Sequence, residues 1–532
     1  MSDSKKPATT NDTQTAPEVS GRTLGFFGFF AITASMVMTV YAYPNFASSG
    51  MTLIFFLIAA GILWFLPISL IAAEMATVKG WESGGIFTWV GKMLGEKWGF
   101  AALFYQWFQI TVGFVTMCFF VLACLAFVFG WDALYDNPLV MFIGVGIIVW
   151  ILTLTQLGGT RLTAIIAKVG FYGGVCLPAI VLLIGLVAYV ATGGTVNLDI
   201  HASIIPDFSH VGTLVIFASF VLAFMGVEAS ASHISELKNP NRTYPLVMIV
   251  LCALAIILDT LGGVAVATAL PLDVLEGNMS YGVVSAFAAI FETHFHLGWL
   301  VYVMAVLLAA GVLAEISSWI VGPSRALLDT ANKGILPKPF AKLNKHGVST
   351  LTVIIQAIIV TIWDAVLCGA LAMSGGSSSS VAYLTAIGLT VVIYLVGYVL
   401  FLVAYFKLVI KEKNLPRSFN VPGGTVGKCI FAGVAMFMTV ATLIVSFFPS
   451  SELSAQAGTV YMIVLIVCFA ISVIIPFVIY ALRHHWDGTK GGKQAVAAKD
   501  AAPAASTTAA ASTTPAASTA SGSPATSQPH TN

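Results

Sequence analysis

FMGVEASASHISELKNPNRTYP, residues 224–245, sets the problem this chain poses. An apolar run of helix length reaches Gly226 and then carries an acid, Glu228. A second acid, Glu236, follows, and then an Asn-Pro pair, Arg242 and another proline. The surrounding chain has 532 residues, 58% of them hydrophobic and only 9% charged. Soluble chains are about 25% charged, and the mean hydropathy here is +0.94. A polytopic helical membrane protein fits these values, which places Glu228 inside the bilayer. A charge at the bilayer centre costs about 2.5–3.5 kcal/mol on insertion scales. The acid is tolerated if it faces a cavity or takes hydrogen bonds from a broken helix. Two roles stay open for it: pinning unwound backbone, or meeting a substrate or proton.

A hydrocarbon core about 30 Å thick needs roughly 20 apolar residues per helix. Twelve such runs lie near 25–46, 51–77, 98–130, 139–157, 162–192, 211–235, 246–270, 298–324, 350–373, 381–408, 427–447 and 458–482. With the N-terminus inside, all 24 Lys and Arg residues fall on the cytoplasmic side, from Lys5 and Lys6 through Arg161, Lys168 and Lys428 to Lys499. The other side is acidic: Asp132, Asp136, Asp199, Asp207, Asp273, Glu276, Glu292 and Glu452, with His201, His210, His294 and His296. The positive-inside bias puts both termini in the cytoplasm. This asymmetry, hidden in a net charge of +1, does not suggest nucleic acid.

The expected organisation is a disordered N-terminal tail over 1–21, a membrane domain over 22–486, and a disordered Ala/Thr/Ser/Pro-rich tail over 487–532. There is no P-loop and no metal-binding spacing among the seven cysteines, so neither cofactor nor metal is expected. Secondary transporters are often built as inverted repeats with helices broken at equivalent places. A five-plus-five arrangement pairs helix 1, with its small residues Thr33, Ala34 and Ser35 ahead of Pro44, with helix 6, which holds Gly226. No basic side chain waits at mid-membrane, so a substrate carboxylate would be held by N–H groups at half-helix N-termini. The run Asn239–Pro245 is expected to end helix 6 at the cytoplasmic face.

Residues 226–245 resemble the helix 6 signature of the amino acid–polyamine–organocation transporters: Gly-x-Glu, a second acid, then Asn-Pro-x-Arg-x-x-Pro. More narrowly, GFFAITASMVMTVYAYP (28–44), AAEMATVKGWESGGIFTWV (72–90), LAEISSWIVGPSR (313–325), TVVIYLVGY (390–398) and FNVPGG (419–424) resemble the bacterial glutamate/γ-aminobutyrate antiporters of acid resistance. The resemblance spans about 22–486. It implies an all-α, LeuT-like fold with broken helices 1 and 6, and Thr33, Ala34 and Ser35 as the broken-helix backbone of helix 1. It implies substrate contacts at Tyr41, at Gly226 and Glu228, and at Tyr394 and Tyr398, which share a helix face. Trp319 is implied as a gate, and Glu315 and Glu74 as structural acids. Where the subgroup often has an acid after the tyrosine, this chain has Ala42, and its tail is low-complexity rather than basic and aromatic.

The implied activity is exchange of extracellular glutamate for intracellular γ-aminobutyrate by alternating access in the inner membrane, alongside a cytoplasmic glutamate decarboxylase. A γ-carboxyl titrating near 4.3 makes glutamate near-neutral in acid. Entry of that form and exit of a positively charged product would remove one proton per cycle. The alternatives are exchange or import of another amino acid such as glutamine, or a non-transporting sensor of the same fold.

Overall fold

Ten helices among the described residues are long and apolar enough to cross a membrane, and each falls on one of the predicted runs. The computed structural model describes residues 25–81, 85–158, 169–209, 214–230, 237–277, 279–374, 380–450 and 453–486. The tails, Glu236, His210, Glu452, Arg161 and Lys168 lie outside them. In chain order the helices are α1 (Phe26–Val37), α2 (Tyr43–Ala47), α3 (Thr52–Ala76), α4 (Gly85–Leu94), α5 (Glu96–Phe129), α6 (Pro138–Gln156), α7 (Phe171–Ala191), α8 (Phe217–Ala223) and α9 (Pro240–Ala269). They continue with α10 (Gly298–Asn332), α11 (Thr350–Met373), α12 (Ser380–Lys411), α13 (Gly424–Val445) and α14 (Ala455–Trp486). The architecture is all-helical.

Burial sorts these helices into centre and rim. The apolar windows of α5 and α12 are 78% buried, and those of α6 and α14 only 22%. α5 packs along both α12 and α10, so these three form the middle of the bundle. On α6, Ile143, Ile147 and Ile151 recur at helical spacing and are exposed, which is the stripe a lipid-facing helix presents.

Prolines shape the helices locally. α3 widens to a π-turn over Ala60–Phe65 just before Pro67, and α7 does the same over Phe171–Cys176 before Pro178. A proline has no N–H and its ring clashes with the carbonyl four residues back, and a wider turn relieves that clash. Along the α7 π-turn, Gly170 and Gly174 lie against Ala314 and Gly311 of α10. A Cβ added at Gly174 would stand 2.3 Å from the Gly311 Cα, so only glycine fits this crossing. Small residues of this kind let membrane helices approach backbone to backbone.

The Asn-Pro-x-Arg run opens α9 with Pro240 in its first turn, and the end of the preceding segment, expected there, lies outside the described residues. Proline is suited to that position, because its missing N–H is one the first turn leaves unpaired anyway.

One end of α3 is fastened by a buried ion cluster. Glu74 Oε1 faces Lys428 Nζ at 2.5 Å and Arg417 at 3.0 Å. Its Oε2 accepts from the Tyr405 hydroxyl and the Val421 N–H, both at 2.8 Å. Lys428 also donates to Asn420 Oδ1 at 2.7 Å. Backbone bonds add to the strap: Lys79 N–H to Pro416 O at 2.9 Å and Phe419 N–H to Thr77 Oγ1 at 3.2 Å. The FNVPGG stretch therefore lies down on the end of α3, and Glu74 has the structural place assigned to it.

Candidate functional site: an interrupted-helix cavity

α8 stops at Ala223 within an apolar stretch. Phe224, Met225 and Gly226 turn, Gly226 at φ +100°, and a 3₁₀ turn follows over 227–230. Positive φ is where glycine is at home, so Gly226 permits the reversal. Glu228 hangs from the turn and is 1% exposed. Its Oε1 accepts from Gln106 Nε2 of α5 at 2.8 Å and from the Tyr394 hydroxyl. Its Oε2 accepts from the Tyr398 hydroxyl at 2.5 Å. Tyr398 oxygen in turn accepts the Gly226 N–H at 3.0 Å, and its ring meets Trp64 edge-on at 4.9 Å between centroids. Both carboxylate oxygens are thus occupied by neutral donors on α5 and α12.

On the other side, α1 runs unbroken through Thr33, Ala34 and Ser35 and stops at Val37. The interruption expected at Thr33–Ser35 comes at Met38–Ala42 instead. Thr33 Oγ1 bonds back to Phe29 O at 3.0 Å, a bond an intact helix offers. Farther on, Pro44 in the first turn of α2 has no N–H for the Val40 carbonyl, which takes the Tyr43 N–H at 3.2 Å instead. The loosened segment is held by the Tyr383 hydroxyl, which donates to Tyr41 O at 3.0 Å and accepts from Asn45 Nδ2 at 3.4 Å.

Between these interruptions lies a cavity of about 60 Å³. One water needs roughly 10–15 Å³ measured this way, so about four fit. Thr39, Tyr41 and Ala42 line it from the first segment, Ser219 and Met225 from the second, Gln109 and Thr116 from α5. Glu315 and Trp319 come from α10, and Tyr383, Thr390 and Tyr394 from α12. A second cavity of about 30 Å³ shares Asn45, Ser219 and Ile387 with the first, so these three form the partition between them.

Of the residues singled out from sequence, Tyr41, Trp319 and Tyr394 reach the cavity. Gly226, Glu228 and Tyr398 stand behind its wall as a hydrogen-bonded clamp. Glu315, read as a helix-contact acid, lines the cavity and has no hydrogen-bond or ion-pair partner among the described residues. Gln106, Gln109 and Tyr383 escaped sequence reasoning. The two glutamines were the available signal, as polar side chains three apart on an otherwise apolar stretch of α5.

Comparison with known proteins agrees with this geometry. The glutamate/γ-aminobutyrate antiporter of Lactococcus lactis subsp. lactis (strain IL1403) is 51% identical over 462 residues, covering 86% of this chain and 90% of that protein. The one from Lactococcus lactis subsp. cremoris (strain MG1363) is equally similar. A probable agmatine/putrescine antiporter of Lactococcus lactis subsp. lactis is 23% identical over 80% of this chain and 88% of its own length. The crystal structure of MhsT in complex with L-phenylalanine superposes with a TM-score of 0.57 at 13% identity, over 80% of this chain and 99% of that one. This is a likeness of fold. A family model described as amino acid permease matches residues 24–469; the chain belongs to the amino acid permease family.

Proposed function

We propose that this protein is an antiporter that exchanges extracellular glutamate for intracellular γ-aminobutyrate by alternating access. The observation that carries the reading is the 51% identity, over 86% of the chain, to antiporters named for that pair. Twelve crossings follow if the segments of α1 with α2 and of α8 with its turn each count as one, in a five-plus-five inverted repeat with both termini in the cytoplasm. The fold likeness to MhsT and the two facing interruptions support that arrangement. Residues 22–486 form the transporter, and 1–21 and 487–532 are tails.

Substrate sits in the cavity between the interruptions, against Tyr41 and Tyr394, with Trp319 as the gate. Tyr398, Gly226 and Glu228 act from behind by fixing the turn that presents N–H groups to a substrate carboxylate. Space for about four waters is less than the ten heavy atoms of glutamate need, so the cavity must widen as either side opens. Coupled to a cytoplasmic glutamate decarboxylase in a bacterial inner membrane, the exchange exports the product of a proton-consuming reaction and so supports acid resistance.

The test is uptake of labelled glutamate into proteoliposomes, empty or preloaded with γ-aminobutyrate, from about pH 4.5 to about pH 8, across the titration of the γ-carboxyl. Uptake that requires preload and is fastest in acid is the expected result. Uptake without preload overturns exchange, and preload by glutamine alone reassigns the substrate pair.

A further inference from the structure

Glu315 is the one carboxyl among the described residues that lines the cavity. It is 7% exposed, stands one turn before Trp319, and has no hydrogen-bond or ion-pair partner among the described residues. Glu228 is the contrast, since both of its oxygens are taken. An unpartnered carboxyl at this depth is stable when it carries a proton or when a cation faces it. Among the described residues, no lysine, arginine or histidine lines the cavity. A cation that faces Glu315 there arrives with the substrate. Glutamate and γ-aminobutyrate share one positive group, the ammonium.

We propose that Glu315 is the ammonium-binding group of the cavity, and that it releases a proton each time a substrate ammonium docks. The proposal rests on the substrate pair proposed above. The exchange balances: a neutral carboxyl and an incoming ammonium become a carboxylate–ammonium pair, and the carboxyl proton leaves to water.

Other titratable groups stand on the elements around α10. Tyr41, Tyr383 and Tyr394 line the same space. Behind Tyr394 stands the occupied Glu228. Between α5 and α11, Cys118 is near Asp364, which accepts from Cys368 at 3.4 Å, and Cys176 of α7 is near Tyr43.

The experiment measures protons released when γ-aminobutyrate is added to purified protein in weak buffer near pH 6 with an indicator dye, alongside binding read by calorimetry. Wild type is expected to release about one proton per γ-aminobutyrate bound. Glu315→Gln is expected to release none and to bind about tenfold more weakly, as loss of one charge pair in a partly wet cavity implies. Glu315→Asp keeps the charge and is expected to keep the release, which preserves the test if the glutamine variant fails to fold. Des-amino analogues such as glutarate and butyrate are expected to release no proton from wild type.

Binding to wild type without release, or unchanged release from Glu315→Gln, overturns the assignment. Proton uptake on glutamate binding also overturns it, by putting the γ-carboxyl rather than the ammonium against Glu315. Failure of wild type to bind γ-aminobutyrate at all is a different result and counts against the substrate pair.

Discussion

Glu74 and Glu228 both take hydroxyl hydrogen bonds from tyrosines of α12, Tyr405 for the first and Tyr394 with Tyr398 for the second. Their remaining partners differ. Glu74 faces Lys428 and Arg417, so two cations surround one carboxylate. Glu228 adds only the amide of Gln106. The first site is an ion cluster that locks a loop onto a helix end. The second holds a carboxyl on dipoles alone, at a turn that alternating access must let move. A helix can therefore present the same residue type to two acids and build a fixed anchor at one and a compliant clamp at the other.

The comparison is most exposed at Glu74. Glu74→Ala strands two buried cations, and breaking a buried pair in this way costs about 3–5 kcal/mol. Thermal unfolding in detergent should show the largest loss of any variant described here, with little folded protein recovered. Removal of Glu228 strands no charge. Glu228→Ala leaves two hydroxyls and an amide without their acceptor, a cost of about 1–3 kcal/mol for each, and transport should fall further than stability because the 224–230 turn is freed. Equal destabilisation by the two alanine variants would erase the distinction.

Tyr398→Phe is expected to be milder. It removes one bond to a carboxylate, about 1.5–3 kcal/mol, and takes the acceptor from the Gly226 N–H. The check is unfolding together with the KM for glutamate, which should rise. The smallest effect belongs to Glu228→Gln. Its amide oxygen keeps the Gln106 and Tyr394 donors, and the Tyr398 hydroxyl can turn to accept from the new NH2 so that no partner is stranded; the substitution should cost about 1 kcal/mol and leave the pH profile of uptake superimposed on wild type. A shifted profile would make Glu228 a proton-exchanging group and bring the clamp closer in kind to Glu315.

The helices were legible for a simple reason. A backbone in hydrocarbon must satisfy its own hydrogen bonds, so each crossing writes about 20 apolar residues into the chain. α4 left no such trace, because it is a ten-residue amphipathic helix, GIFTWVGKML. In the first segment the small residues Thr33, Ala34 and Ser35 suggested the break, yet the break follows Val37, ahead of Pro44 in the first turn of α2. Small side chains signal close packing as readily as loosened backbone. Glu228 was conspicuous as an acid in an apolar run, and the tyrosines came with the family likeness. Glu315 was just as visible but was assigned the wrong surroundings. Sequence shows that an acid lies on a helix without showing whether that face meets a neighbour or a cavity.

The glycine crossing of α7 and α10 bears on how the cavity is driven. Gly311 sits four residues before Glu315 on the same helix, and Gly174 presses on it with no side chain between. Most helix contacts are cushioned by rotamers that yield before the backbone does. This one has no cushion, so a tilt of α7 is delivered to the cavity wall as displacement rather than absorbed as side-chain rearrangement. In mechanical terms the crossing is a hard bearing, backbone against backbone.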